Sequence, residues 1–126
     1  MLSFSPLAGG WLSGKYHTSQ EVGGPGSAAR SRNPASYDAR NPANAAKLAP
    51  ADALGEIADE AGLTLVQMAT AFVVRHAGIT SAIIGPRTMD HLDGYLAADG
   101  VELTHDVLDR IDQVVRPGDT VGVADN

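Results

Sequence analysis

The segment Thr80-Ser81-Ala82-Ile83-Ile84-Gly85-Pro86-Arg87-Thr88 holds the residue types of an anion site. A short apolar run ends at Gly85, where the missing Cβ lets a ligand come close to the backbone. Arg87 adds a planar, permanently charged fork that matches phosphate. Thr88 is a helix-capping type, and the free N–H groups and dipole of a helix start favour negative charge. The same pieces make up an ordinary strand-to-helix turn with a surface arginine, and from these residues alone both readings stand.

A second segment, Ser5-Pro6-Leu7-Ala8-Gly9-Gly10-Trp11-Leu12-Ser13-Gly14-Lys15-Tyr16, is apolar and glycine-rich. It lacks the glycine spacing and the Ser/Thr after lysine that a P-loop needs, and no G-x-G-x-x-G follows either candidate strand. Ser5 and Lys15 can still reach phosphate or ribose from a strand end; the plainer alternative is a turn with an exposed lysine. His17, His76, His91 and His105 have no metal-ligand spacing, so no metal site is expected. No G-x-S-x-G elbow supports a serine nucleophile. Glu56, Asp59 and Glu60 read as the wet face of one helix, and Asp106, Asp109 and Asp112 as that of another.

The elements that must position these residues follow from periodicity. Leu54, Ile57, Ala58 and Ala61 fall at i, i+3, i+4 and i+7, which predicts a helix over about 50–61 with Pro50 in its first turn and Gly62 as its stop. Thr64 and Gln67 form a capping-box pattern for a second helix through Leu65, Met68, Ala69, Phe72 and Val73, ended by Gly78. Met68 and Phe72 are expected in the core. Thr88 caps a helix carrying Leu92, Tyr95 and Leu96, and Thr104 caps a last one with Val107, Leu108, Ile111, Val114 and Val115. Leu2–Leu7 and Thr80–Ile84 read as strands buried on both faces. Strands alternating with helices predict βα units and a parallel sheet. Two strands alone leave open edges, which gives the chain a physical motive to associate with another copy or another chain.

Residues 17–46 read as a long loop with Arg30, Arg32 and Arg40 in it, either exposed or closing over an anion, and residues 119–126 as a frayed tail. The whole chain of 126 residues fits one domain, 1–126. It has 15 acidic against 9 basic side chains and a net charge of -6, which argues against nucleic acid or an anionic membrane as the main partner. With 44% hydrophobic and 19% charged residues it has the composition of a globular chain. No window reaches the roughly 18 apolar residues of a membrane span. The absence of cysteine and of a basic leader before the first apolar stretch fits a cytoplasmic protein.

Taken together, FSPLAGGWLSGKY, the helices of ALGEIADEAGLTLVQMATAFVVRH and TSAIIGPRTMDHLDGYLAA resemble the C-terminal part of an aldo-keto reductase, over residue 3 to about 116. The resemblance implies an α/β fold: the C-terminal fragment of a (β/α)8 TIM barrel, mostly helical, with two short parallel strands matching the seventh and eighth. It implies NADP(H) as cofactor and a small carbonyl substrate, reduced when another part of a barrel completes the site. Barrel enzymes often bind phosphate at the loops after those two strands. Ser5 and Leu7 match positions along the pyrophosphate and nicotinamide side, and Lys15 a basic residue near the phosphates. Gly85 and Arg87 match the turn that holds the adenosine 2′-phosphate. His91 stands where the family usually has Gln facing adenine, and Gly94 and Tyr95 depart from the acidic-plus-Asn pair common there. The family's catalytic Tyr, Lys, Asp and His come from the first half of the barrel. No catalytic residue is therefore expected here: none of Tyr16, Tyr37 and Tyr95 matches the catalytic tyrosine, and Lys15 and Tyr16, as neighbours on a strand, point apart. The reading that follows is a cofactor-binding portion inactive alone. Its alternatives are a non-catalytic nucleotide-binding module that self-associates, and a non-functional truncated remnant.

Overall fold

A computed structural model describes residues 1–14, 41–119 and 121. The element order is β1 (Leu2–Phe4), a 3-10 turn (Ala8–Gly10), α1 (Pro42–Glu60), α2 (Leu65–Val74), β2 (Ser81–Ile83), α3 (Met89–Leu96) and α4 (His105–Val114). The two strands pair in parallel with Leu2 opposite Ser81, Ser3 opposite Ala82 and Phe4 opposite Ile83. The Thr80 N–H adds one more bond, to the Met1 carbonyl at 2.7 Å.

Helix α1 begins at Pro42, not near residue 50, and so takes the end of the stretch read as loop at 17–46. The expected start relied on large aliphatic side chains, and the first turns of α1 carry mainly alanine, which favours helix without marking a face. Pro42 suits the first helical position. Pro50 lies inside the helix, where its ring removes one backbone donor. The helix ends in a Schellman arrangement: Leu63 N–H donates to the Ala58 carbonyl at 2.9 Å, and Gly62 N–H to Asp59 at 3.0 Å. Gly62 takes a φ of 72°, as a left-handed stop requires.

The other helix starts follow the expected caps. Thr64 Oγ1 accepts the Gln67 N–H at 3.1 Å while Gln67 Oε1 accepts the Thr64 N–H at 2.8 Å. Gln67 Nε2 also donates to the Ala97 carbonyl at 3.3 Å, tying α2 to the end of α3. Thr104 Oγ1 accepts the Val107 N–H at 3.3 Å.

The core lies between helices: Ile57, Ala58, Leu65, Met68, Val107 and Ile111 are buried together, from α1, α2 and α4. An Arg110–Glu60 ion pair at 2.7 Å bridges α4 and α1 at the surface. Helix α2 packs against β2 and α3. Phe72 was expected in this core but is 39% exposed, and Ala61 is exposed as well.

The strands also differ from expectation. β1 stops at Phe4 because Ser5 takes a φ of 58°, outside the β region. β2 is shorter than Thr80–Ile84 to match its partner. Neither is buried on both faces: Ser3 and Ala82 are half-buried, whereas Leu2 and Phe4 are 61% and 79% exposed and Ile83 is 56% exposed. The pleat puts the last three on the other face of the sheet, which no described element covers.

Candidate functional site

The parallel register makes both strands end at one edge. Residues after Phe4 and after Ile83 therefore leave the sheet side by side. The turn Ser5–Ser13 comes from one strand and the segment Ile84–Thr88, leading into α3, from the other.

At the second exit, Gly85 is exposed and its φ is not in the left-handed range. A Cβ added there would meet no atom of the described residues within 4 Å. Among the described residues, neither backbone conformation nor crowding calls for glycine at this position. Arg87 is exposed two residues on. Thr88 caps α3, its Oγ1 accepting the His91 N–H at 3.2 Å, and its carbonyl accepts the Leu92 N–H at 3.1 Å. The N–H groups of Met89 and Asp90 have no acceptor within the helix, which is the ordinary state of a helix start and the origin of its affinity for anions. Asp90 in this first turn puts a carboxylate at the same pole. His91 is half-buried in that turn. These groups fit a phosphate: an arginine, a helix start and an uncrowded glycine stand on one short segment.

At the first exit, Ser5 is exposed and Leu7 half-buried. Ser5 Oγ accepts the Gly9 N–H at 3.0 Å. Lys15, with the basic patch of Arg30, Arg32 and Arg40, lies outside the described residues.

A family model described as the aldo/keto reductase family matches residues 1–116. The chain belongs to the aldo/keto reductase family. No curated protein matches it. Membership implies oxidoreductase chemistry on the TIM-barrel fold, in a family that generally uses NADP(H). Mostly helical, with two short parallel strands, the described structure fits a part of that architecture.

Beside the first exit lies an apolar cavity of about 720 Å³, lined among others by Ser5, Trp11, Lys47, Met68, Phe72 and Arg116. Gly85, Arg87 and His91 are not among its described lining residues, so it is separate from the helix-start anion pole. From the expected tail, Asp119 and Val121 border it, and Asp119 N–H donates to the Arg116 carbonyl at 3.0 Å. Trp11, in the turn after β1, is 5% exposed. The Lys47 ammonium lies 5.6 Å from the centre of its ring, with the side chain almost fully buried. That cation–π contact was missed because α1 was expected to start beyond Lys47. An Asn-Pro pair ahead of an alanine run was the signal that could have found it. On α3, burial pushes the Tyr95 phenol above its ordinary value of 10.0.

Proposed function

We propose that this chain is the C-terminal section of an aldo/keto reductase and contributes half of an NADPH site, β1 and β2 standing as the seventh and eighth barrel strands. The segment Gly85–Thr88 carries the reading: Gly85, Arg87 and the N-terminus of α3 follow one another directly after β2. In this scheme Gly85, Arg87 and the start of α3 hold the adenosine 2′-phosphate, and His91 faces the adenine. Ser5, Leu7 and Lys15 belong to the side that carries the pyrophosphate and nicotinamide. When bound, NADPH supplies the hydride for carbonyl reduction, and this section supplies its orientation. No catalytic residue is assigned to it, so the chain alone is expected to leave a small carbonyl substrate unreduced; reduction of an aldehyde above a protein-free control refutes that.

The first test is a titration with NADPH followed by fluorescence of the single tryptophan, Trp11, with NADH as control. Saturable quenching that favours NADPH supports the reading, and no response from a chain with helical circular dichroism refutes it for the chain alone.

A second reading is favoured by the face of the sheet that no described element covers, where Leu2, Phe4 and Ile83 are exposed. It is a nucleotide-binding module that pairs with a second copy through this face and its open edges. Light scattering tests it: a dimer that Phe4→Lys dissolves is the expected outcome, and a monomer at all concentrations refutes it.

A further inference from the structure

The apolar cavity of about 720 Å³ stands apart from the helix-start site: of the described residues assigned to NADPH, only Ser5 borders it. Its walls come from the turn after β1 and from α1, α2 and α4, with Trp11, Leu54, Met68, Phe72 and Ile111 among them. That is the size and the lining of a small-molecule site, in which a few polar groups fix the orientation of an apolar ligand. The charged groups here are of two kinds. Asp112, Arg116 and Asp119 border the cavity but are exposed, so both signs at that rim are solvated. Lys47 borders it too and is 9% exposed, the only charged side chain buried among the described residues. An ammonium taken out of water is costly unless something meets its charge. The Trp11 ring, 5.6 Å away, offsets part of that cost. An ammonium carries three N–H donors, so it can take an anionic oxygen as well as its contacts within the chain.

We infer that the cavity is a binding site for a medium-chain alkyl carboxylate, its chain lying against Met68 and Phe72 and its head group on the Lys47 ammonium beside Trp11. Charge complementarity selects this occupant. A cationic amphiphile would set a second positive charge against Lys47, and a neutral one gains nothing from it. The inference is independent of the NADPH reading, since neither Gly85 nor Arg87 borders the cavity.

The test is calorimetric titration of the whole chain at neutral pH with octanoate, 1-octanol and octyltrimethylammonium, which share one chain and differ in head group. The order of the first two is a test of sign. In a wholly apolar cavity octanol binds more tightly, because octanoate must shed the water around its charge. With an ammonium in the wall the order reverses. A hydrogen bond between charged groups predicts octanoate about tenfold tighter than octanol, with no measurable binding of octyltrimethylammonium. Lys47→Gln should weaken octanoate about tenfold and leave octanol unchanged, with helical circular dichroism retained. Arg87→Gln and Arg116→Gln should leave octanoate binding as it was. Octanol binding as tightly as octanoate, or no octanoate binding at all, overturns the inference. So does a loss in Arg87→Gln or Arg116→Gln as large as in Lys47→Gln, which would place the carboxylate at the helix start or at the rim. The three ligands are compared on the unsubstituted chain, so the inference can fail even where Lys47→Gln does not fold.

Discussion

Gly85→Ala separates a glycine kept for folding from one kept for a ligand, because the two roles give effects of opposite sign. A Cβ on Gly85 meets no atom of the described residues within 4 Å, and the backbone there is not left-handed. The added methyl therefore brings no clash to the free chain. It does restrict the unfolded chain, which stabilises the fold by about 0.4–1 kcal/mol. At this chain length that is a rise in melting temperature of a few degrees. In the complex the same methyl occupies the space where phosphate approaches the backbone. Forcing one extra carbon into a filled contact costs about 1–3 kcal/mol, or roughly fivefold to over a hundredfold in affinity. Thermal denaturation by circular dichroism and Trp11 quenching by NADPH give the two numbers on one sample. The expected result is a chain that melts at the same or a higher temperature and binds NADPH at least fivefold more weakly. A fall in melting temperature would show that the fold itself needs the glycine, and unchanged affinity would place the ligand elsewhere; either refutes the argument.

Arg87→Gln removes a charge-assisted contact worth about 1.5–3 kcal/mol, so NADPH affinity should fall at least tenfold while NADH binding, titrated in parallel, changes little. Tyr95 carries a phenol whose ionisation burial raises above 10.0, so above that pH the unfolded state loses its proton first. Its share of stability is fully present below pH 10 and is lost as pH rises through the folded value, and urea titrations should show a shallower alkaline decline in Tyr95→Phe. Thr70 Oγ1 is buried with no hydrogen-bond partner among the described residues. Thr70→Val keeps the branched shape and removes the orphaned hydroxyl, so it should be neutral or stabilising by about 1 kcal/mol in a denaturant melt, and a loss of that size would reveal a partner for the hydroxyl.

Local chemistry decided what was legible from residues alone. Thr64 with Gln67, Thr88 and Thr104 cap their helices as their types and spacing predict, because a cap is a contact between residues three apart and needs nothing from the rest of the fold. Gly62 stops α1 for the same reason, since a left-handed residue is a property of one backbone position. The parallel pairing of β1 and β2 was legible from the alternation of strands and helices. So was the strand–glycine–arginine–helix order of the candidate site, since all of it lies on one short segment.

Only the tertiary structure decided exposure and long-range contact. Apolar strands such as Leu2–Phe4 and Ser81–Ile83 look buried in any sequence, yet burial belongs to whatever covers a strand, and here one face of the sheet is bare of described neighbours. Phe72 shares the helical spacing of Met68 and both border the cavity, but Met68 is also buried among residues of α1 and α4 while Phe72 stays 39% exposed. The Lys47 ammonium against Trp11 joins residues far apart in the chain through a helix start that alanines left unmarked. The left-handed Ser5 was missed for a local reason: serine has no strong preference for that conformation, and the bond from Gly9 that accompanies it lies within one turn. Caps, turn glycines and the Ser5–Gly9 bond are settled by neighbours along the chain, whereas burial and cation–π contacts depend on which distant surfaces the folded chain brings together.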